Sequence, residues 1–290
     1  MAAQPVAYAG EPGAFAEDAV VAAFGEAAPR QPVGGFRQVF EAVTSGGASV
    51  GVLPIENVVN GSVREVYDLL LEHELEISGE VVVPVDLCLA ALPGRRIEDI
   101  ERVYSHLQAL GQAERFLRTR PWALLTTYNT AGAGRFIVDQ GDGAAAAVLS
   151  PRAATVFGLE VLASSIQDVA DNRTRFIVVE RSMAAAEAGS GSEAGPGAAS
   201  GSGPAFRTTI AFGVRNEPGT LLAALQVFAA RSINLSKLES RPSRAAAWEY
   251  VFWTDLDAHA ADPDCAAALH DLAAVATTVR VLGSYPRAGT

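Results

Sequence analysis

The chain has 290 residues, a net charge of -11, 49% apolar residues and only two cysteines. That length allows two or three domains, and the composition is that of a soluble globular protein. No basic stripe exists to displace counterions from phosphates, so nucleic acid is excluded as a partner, and an anionic ligand must be held by local donors. Cys88 and Cys265 lie far apart and form no CxxC, which suits a reducing, cytoplasmic setting. The start "MAAQPVAYAG" lacks a basic region and an apolar core, so no secretory signal is expected. No apolar run approaches membrane-spanning length.

In chain order, "PVAYAG" reads as a strand and "AFAEDAVVAAF" as a helix. "SVGVLPI" is a strand and "VREVYDLLLEH" a helix. "EVVVPVDLCLAAL" and "ERVYSH" read as strands, followed by "QALGQAERFLRT" as a helix. "AAAAVLS" and "RFIVVE" are strands. Such alternation predicts α/β layering around a largely parallel sheet, with ligands bound at the loops that enter the helices.

From Ala184 to Pro204 the chain is almost wholly Ala, Gly, Ser, Glu and Pro. It cannot bury enough apolar area to offset its ordering entropy, so a flexible tether is expected. Downstream, "RTTIAFGV", "GTLLAALQVFAAR", "INLSKLESRP", "AAWEYVFWTDL", "DCAAALHDLAAVA" and "TTVRVLGSY" give the order βαββαβ. That is the ferredoxin-like arrangement. The expected division is 1–183, a linker over 184–206, and 207–286.

Three loops place small residues at helix starts: Gly10, Pro12 and Gly13; Asn60, Gly61 and Ser62; Asn129 and Thr130. Free N–H groups there, with the helix dipole, favour anions. Each loop taken alone is better read as an ordinary turn or cap, and it is the set of them in one α/β unit that points to an anion cleft. Ser105 and Gln108 have capping-box spacing, and Gln112 shares a helix face with Gln108. Glu56 is either an acid–base group or an exposed carboxylate at a strand end. The four histidines show no ligand spacing, so no metal site is expected. Gly141-Asp142-Gly143 precedes a strand where a dinucleotide fingerprint should precede a helix, so no such cofactor is expected. Thr174 lies between two arginines before an apolar run. In a strand it and Arg175 face opposite ways, so either the strand starts at Phe176 or only one of the pair meets a ligand.

The ordered set "YAGEPGAF", "GVLPIENVVNGSV", "YDLLLEHELEISGEV", "YSHLQALGQ", "NTAGA", "GLEVLASSIQD", "NRTRF" and "ESRP" resembles the prephenate dehydratase family, whose plant relatives are arogenate dehydratases. The resemblance runs from about Val6 to Val179 and resumes near Thr208 as an ACT regulatory domain. It implies two α/β lobes of the periplasmic-binding-protein type II kind with a cleft between them, plus an α+β ferredoxin-like domain. It implies decarboxylating dehydration of prephenate to phenylpyruvate, or of arogenate to phenylalanine. Aromatisation drives that reaction, so no cofactor is implied.

By the same resemblance, Thr174 is the principal donor at the departing hydroxyl, supported catalytically by Glu56, Ser105 and Gln112. Asn57 is likewise an implied supporting residue, and Arg175 either contacts a carboxylate or braces the cleft through an ion pair; Gly13, Asn60, Gly61, Ser62 and Thr130, from the helix-start loops, are the further candidate substrate contacts. L-phenylalanine, the implied effector, would meet Asn216, Leu221, Leu222, Asn234, Leu235, Ser236, Glu239, Ser240 and Arg241. Pairing of ACT domains implies a homodimer or homotetramer. The chain departs from the family pattern at Ala16 (usually Ser), Leu107 (usually Pro) and Thr220 (usually Ala). Retention of Thr174, Glu56, Ser105 and Gln112 argues against a catalytically silent phenylalanine sensor.

Overall fold

The computed structural model describes residues 4–182, 205–242 and 250–288. Residues 184–204 of the expected tether, and 243–249 at the front of the expected "AAWEYVFWTDL" strand, lie outside the described residues. The chain forms two compact units: Met1–His73 with Val81–Val178, and Glu74–Glu80 with Val179–Thr290. The segment 74–80, expected within the first domain, thus groups with the C-terminal unit.

The first unit is built on two sheets. The first contains β1 (Val6–Ala9), β2 (Arg30–Val33), β3 (Val50–Asn57) and the parts of β5 (Leu75–Pro84) and β11 (Arg173–Arg181) that belong to this unit, in the order β2-β1-β3-β11-β5. The two-residue strand β4 (Gly61–Ser62) turns back antiparallel on the end of β3. Its helices are α1 (Phe15–Phe24), α2 (Phe36–Thr44) and α3 (Arg64–Glu72). In α2 the apolar residues Val39, Phe40 and Val43 recur at helical spacing and are fully buried, as are Val66 and Leu70 of α3. Tyr8, Ala19, Val20, Val52 and Phe176 close the core between α1 and the sheet.

The second sheet contains β6 (Cys88–Ala91), β7 (Arg102–Ser105), β8 (Ala123–Thr126), β9 (Ala145–Leu149) and β10 (Glu160–Ala163), in the order β10-β6-β9-β7-β8. Around it lie α4 (Leu107–Gln112), α5 (Glu114–Leu117), α6 (Thr130–Gln140) and α7 (Pro151–Val156). Strand β9 is alanine-rich and buried along its whole length, so helices approach it closely. The chain leaves the first sheet after β5 and returns at β11, which makes two lobes of one unit.

Three sequence expectations change here. The sheets are mixed rather than largely parallel, because β6 pairs antiparallel with both β9 and β10. "EVVVPVDLCLAAL" is not one strand: β5 stops at Pro84 and β6 begins at Cys88 in the other sheet. Between them Val85 N–H bonds the Asn172 carbonyl, and Leu87 N–H bonds Gln167 Oε1. The "QALGQAERFLRT" helix breaks at Ala113. Asp168 causes the break, since its N–H bonds the Gln112 carbonyl at 2.6 Å and its carboxylate accepts from Arg115 N–H at 3.1 Å. These bonds replace those a continuous helix would make.

The second unit carries β12 (Phe206–Val214), α8 (Thr220–Ala229), β13 (Leu235–Pro242), β14 (Tyr250–Leu256), α9 (Pro263–Val275) and β15 (Thr278–Pro286). Neighbouring strands are antiparallel in the order β13-β14-β12-β15, the ferredoxin-like topology. Phe212, Phe228, Leu256 and Leu272 anchor its core under the two helices. A buried polar network lies in this unit. Arg207 pairs with Glu80 and lies 3.7 Å from Asp255, while Thr209 Oγ1 bonds both Asp255 (2.7 Å) and the Tyr285 hydroxyl (2.7 Å). Among the described residues no helix is long and apolar enough to cross a membrane.

Candidate active site and effector segments

The two lobes of the first unit face each other across a cleft containing adjoining cavities of about 590, 520 and 400 Å3. Thr174 lies on the wall of the largest. Strand β11 begins at Arg173, so Thr174 and Arg175 occupy alternate faces. Thr174 is buried on the cavity side with Phe176. Arg175 turns the other way and ion-pairs with Glu56 at 3.1 Å. Neither Glu56 nor Arg175 lines these three cavities.

Asn57, at the end of the adjacent strand β3, organises this wall. Its Oδ1 accepts from the backbone N–H groups of Val59 (3.0 Å) and Asn60 (2.9 Å). Its Nδ2 therefore faces β11, where it lies 3.0 Å from Thr174 Oγ1, 3.0 Å from the Arg173 carbonyl and 2.8 Å from Asn172 Oδ1. A flipped amide would set donor against donor on one side and acceptor against acceptors on the other. Thr174 Oγ1 is thus an acceptor towards Asn57, and its own proton is available to a ligand.

Asn60, Gly61, Ser62, Gln112 and Thr130 join Asn57 and Thr174 on the same cavity. Ser105 does not line it. Its hydroxyl is fully buried and donates to the Val148 carbonyl at 2.6 Å, tying β7 to β9. The capping-box reading of Ser105 is also replaced, because His106 is the N-cap of α4 and its Nδ1 accepts from Gln108 N–H.

The neighbouring 520 Å3 cavity is lined by the starts of three helices and the cap of a fourth: Ala14 and Phe15 of α1, Gly35 and Phe36 of α2, Asn129 and Thr130 of α6, and Ser150 before α7. Asn129 Oδ1 caps α6 through Gly132 N–H at 2.5 Å, and Ser150 Oγ caps α7 through Ala153 N–H at 3.0 Å. Convergent helix N-termini give a field suited to carboxylates, which opposes the negative charge of the whole chain. Gly13 supports this junction. With φ of +86°, its N–H donates to Glu17 Oε2 (2.5 Å), and its carbonyl accepts from Ser150 Oγ (2.6 Å) in the other lobe.

The sequence reading missed His106, Gln108, Ser150 and Asn172 as cleft residues. Ser150 was detectable, since Ser-Pro at a helix start is a cap followed by proline at the first helical position. His106 carried no such signal once metal spacing had been excluded. Of the family departures, Ala16 is buried and lines the main cavity, while Leu107 is exposed at the start of α4. The hydroxyl of Thr220 turns inward to the Arg215 (2.6 Å) and Glu217 (2.9 Å) carbonyls.

In the second unit the implied effector residues fall on the loop before α8 and on the edge strand β13. Asn216 and Leu222 are exposed, whereas Leu221 packs against the core. Leu235, Glu239 and Arg241 are half-buried and alternate with the exposed Ser236 and Ser240. Asn234 Nδ2 donates to Asp257 Oδ2 at 2.6 Å. Burial works to raise the Asp257 carboxyl, but bonds from Asn234 and Ser236, with the Arg287 charge, hold it below the usual carboxylate range.

The prephenate dehydratase family model matches residues 6–184, and the ACT domain model matches residues 208–274. An Arabidopsis thaliana arogenate dehydratase/prephenate dehydratase is 41% identical, over 97% of this chain and 72% of its own length. A prephenate dehydratase from Arthrobacter aurescens, solved in complex with L-Phe, is 32% identical with a TM-score of 0.85, covering 98% of this chain and 90% of that one. A structure described as GqqA, a quorum-quenching acylase, is 31% identical with a TM-score of 0.85, covering 98% of both chains. By the family match over most of its length, the chain belongs to the prephenate dehydratase family.

Proposed function

We propose that the chain is a prephenate dehydratase regulated by L-phenylalanine. The observation that carries this is Thr174: a buried hydroxyl on the cavity wall, held as an acceptor by Asn57 and left with its proton for a ligand. In the reaction the bond from the ring to its carboxylate breaks, and its electron pair enters the ring. The carbon–oxygen bond on the far side breaks, and the oxygen leaves as water after gaining one proton. Thr174 donates the hydrogen bond that stabilises the departing oxygen, and Asn57 strengthens that donor by bonding to its oxygen. Gln112, with the helix N-termini around Phe15, Phe36 and Thr130, orients the substrate carboxylates.

The relatives support a second substrate. L-arogenate differs from prephenate in the side chain, and the 41% identical relative carries both activities in its name. An acylase needs an activated nucleophile. The Thr174 and Ser150 hydroxyls bond to no imidazole or carboxylate among the described residues, so these two are not activated as nucleophiles. Regulation is assigned to the ACT domain, where the edge strand β13 exposes Ser236, Leu238 and Ser240 for pairing with a second copy and L-phenylalanine binds beside Asn216 and Asn234. Such pairing would give a homodimer or homotetramer. A cytoplasmic setting is read from two free, buried thiols.

The test is to incubate purified protein with prephenate and, separately, with L-arogenate, with and without L-phenylalanine, and to follow aromatic product. Formation of phenylpyruvate, with a rate that responds to L-phenylalanine, is expected. Turnover of neither substrate contradicts the proposal, and faster turnover of arogenate reassigns the substrate.

A further inference from the structure

We propose that Asn172 is a positioning residue for the dehydration: it orients the Asn57 amide so that Thr174 presents its proton to the departing hydroxyl. This rests on the reading of Thr174 given above. The geometry begins at Asn57, whose two amide protons face three acceptors: Asn172 Oδ1 at 2.8 Å, Thr174 Oγ1 at 3.0 Å and the Arg173 carbonyl at 3.0 Å. The Arg173 carbonyl already accepts the Val58 N–H at 3.0 Å. The protons are therefore best matched to Asn172 on one side and Thr174 on the other. Asn172 is held in turn by its backbone, because its carbonyl accepts from Val85 N–H at 2.8 Å. The result is a chain of amides two residues from the acting hydroxyl, with its direction set from the adjoining 400 Å3 cavity, which Asn172 lines.

Asn172 is 2% exposed, and its Nδ2 has no hydrogen-bond partner among the described residues. A buried donor left unmade is destabilising, whereas an apolar side chain of similar shape carries no such penalty. Asn172 is thus poorly suited to a purely stabilising role. Its Oδ1 is the useful atom, and that atom points at the partner of Thr174. Removing it leaves Asn57 held through its oxygen by the Val59 and Asn60 N–H groups, but with its second proton drawn to the already occupied Arg173 carbonyl, so that the bond to Thr174 is no longer fixed in direction. Thr174 would then lose a defined proton direction without a loss of substrate contact.

The measurement is steady-state kinetics and thermal melting on the full chain for Asn172→Leu, Asn172→Ala, Thr174→Ala and the double variant N172L/T174A. Asn172→Leu and Asn172→Ala should each lower kcat by roughly 10- to 100-fold, the size of effect expected from misplacement of a reacting group. Their KM should stay within about twofold, as for loss of an interaction felt mainly in the transition state. The Leu variant should melt no lower than the parent. In the Thr174→Ala background the Asn172 change should cause no further loss, because its beneficiary is gone. A fully additive loss in the double variant, a raised KM with unchanged kcat, or a Leu variant that fails to fold would each overturn the proposal. Normal kcat in both Asn172 variants would do the same. If Thr174→Ala itself keeps full activity, the error lies in the reading of Thr174 rather than in Asn172 alone.

Discussion

Asn57 and Thr174 are joined side chain to side chain across adjacent strands, Nδ2 to Oγ1, at 3.0 Å. The bond makes the threonine oxygen an acceptor and so leaves its proton for something outside the protein. Both residues are buried, at 8% and 9% exposure, so their geometry is set by the sheet rather than by solvent.

Gly13 should tolerate no side chain. Its φ of +86° is unfavourable for any L-residue, and an added Cβ would lie 2.4 Å from the Ala153 backbone in the opposite lobe. Gly13→Ala should destabilise the protein by about 1–3 kcal/mol, the range for overpacking a close contact. It should also raise KM by spreading the helix starts that hold the carboxylates. Urea denaturation and initial-rate kinetics check both effects. An unchanged midpoint would show that the lobes do not approach here in solution.

Arg175 should affect rate more than substrate affinity. It faces away from Thr174 and ion-pairs with Glu56 at 3.1 Å. In Arg175→Met, KM should remain within about threefold, with any loss carried by kcat. A large rise in KM would place Arg175 on a substrate carboxylate instead.

Loss of Arg207 should be costly in the second unit. Its side chain is 10% exposed, and it compensates Glu80 and Asp255, which are 3% and 5% exposed. Arg207→Met removes the guanidinium that faces two buried carboxylates, and breaking a buried pair in this way costs about 3–5 kcal/mol. Chemical denaturation of parent and variant measures it. A loss below about 1 kcal/mol would mean the network is hydrated, as surface pairs are.

How much of this was legible beforehand depends on the kind of signal. The helices α1 and α3, the strand β3 and the ferredoxin-like order were readable because each carries its own periodicity. The mixed sheets were not, since Pro84 and the irregular residues 85–87 send one apolar run into two different sheets. Strand direction is a tertiary property that local pattern does not carry. Likewise, the helix break at Ala113 comes from Asp168, more than 50 residues away in the chain. Among site residues, Thr174, Asn57 and Gln112 were named from motifs and do meet on one cavity. Ser105, Glu56 and Arg175 came from the same motifs, yet Ser105 is spent on the Val148 carbonyl and the other two on each other. Motif spacing says which residues are near the site, and strand alternation decides which of them face it.

The two cysteines should be silent towards thiol reagents in the folded protein. Both are buried, and burial pushes the Cys88 thiol up to about 12, with Asp86 adding to the shift. Burial likewise raises Cys265. Because the thiolate is the reactive form, neither should be labelled at pH 8 until the chain unfolds. Rapid labelling of one equivalent in native buffer would contradict this.

The central claim is that the Thr174 hydroxyl assists departure of the substrate hydroxyl. Its most direct measurement is kcat for Thr174→Ala and Thr174→Ser beside the parent, with melting temperature recorded for each. Thr174→Ala should lose about 10²- to 10⁴-fold in kcat, the usual contribution of a positioned proton donor, with little change in melting temperature. Thr174→Ser, which keeps the oxygen, should recover much of that loss. Near-parental kcat in Thr174→Ala would contradict the account and return Thr174 to a structural role.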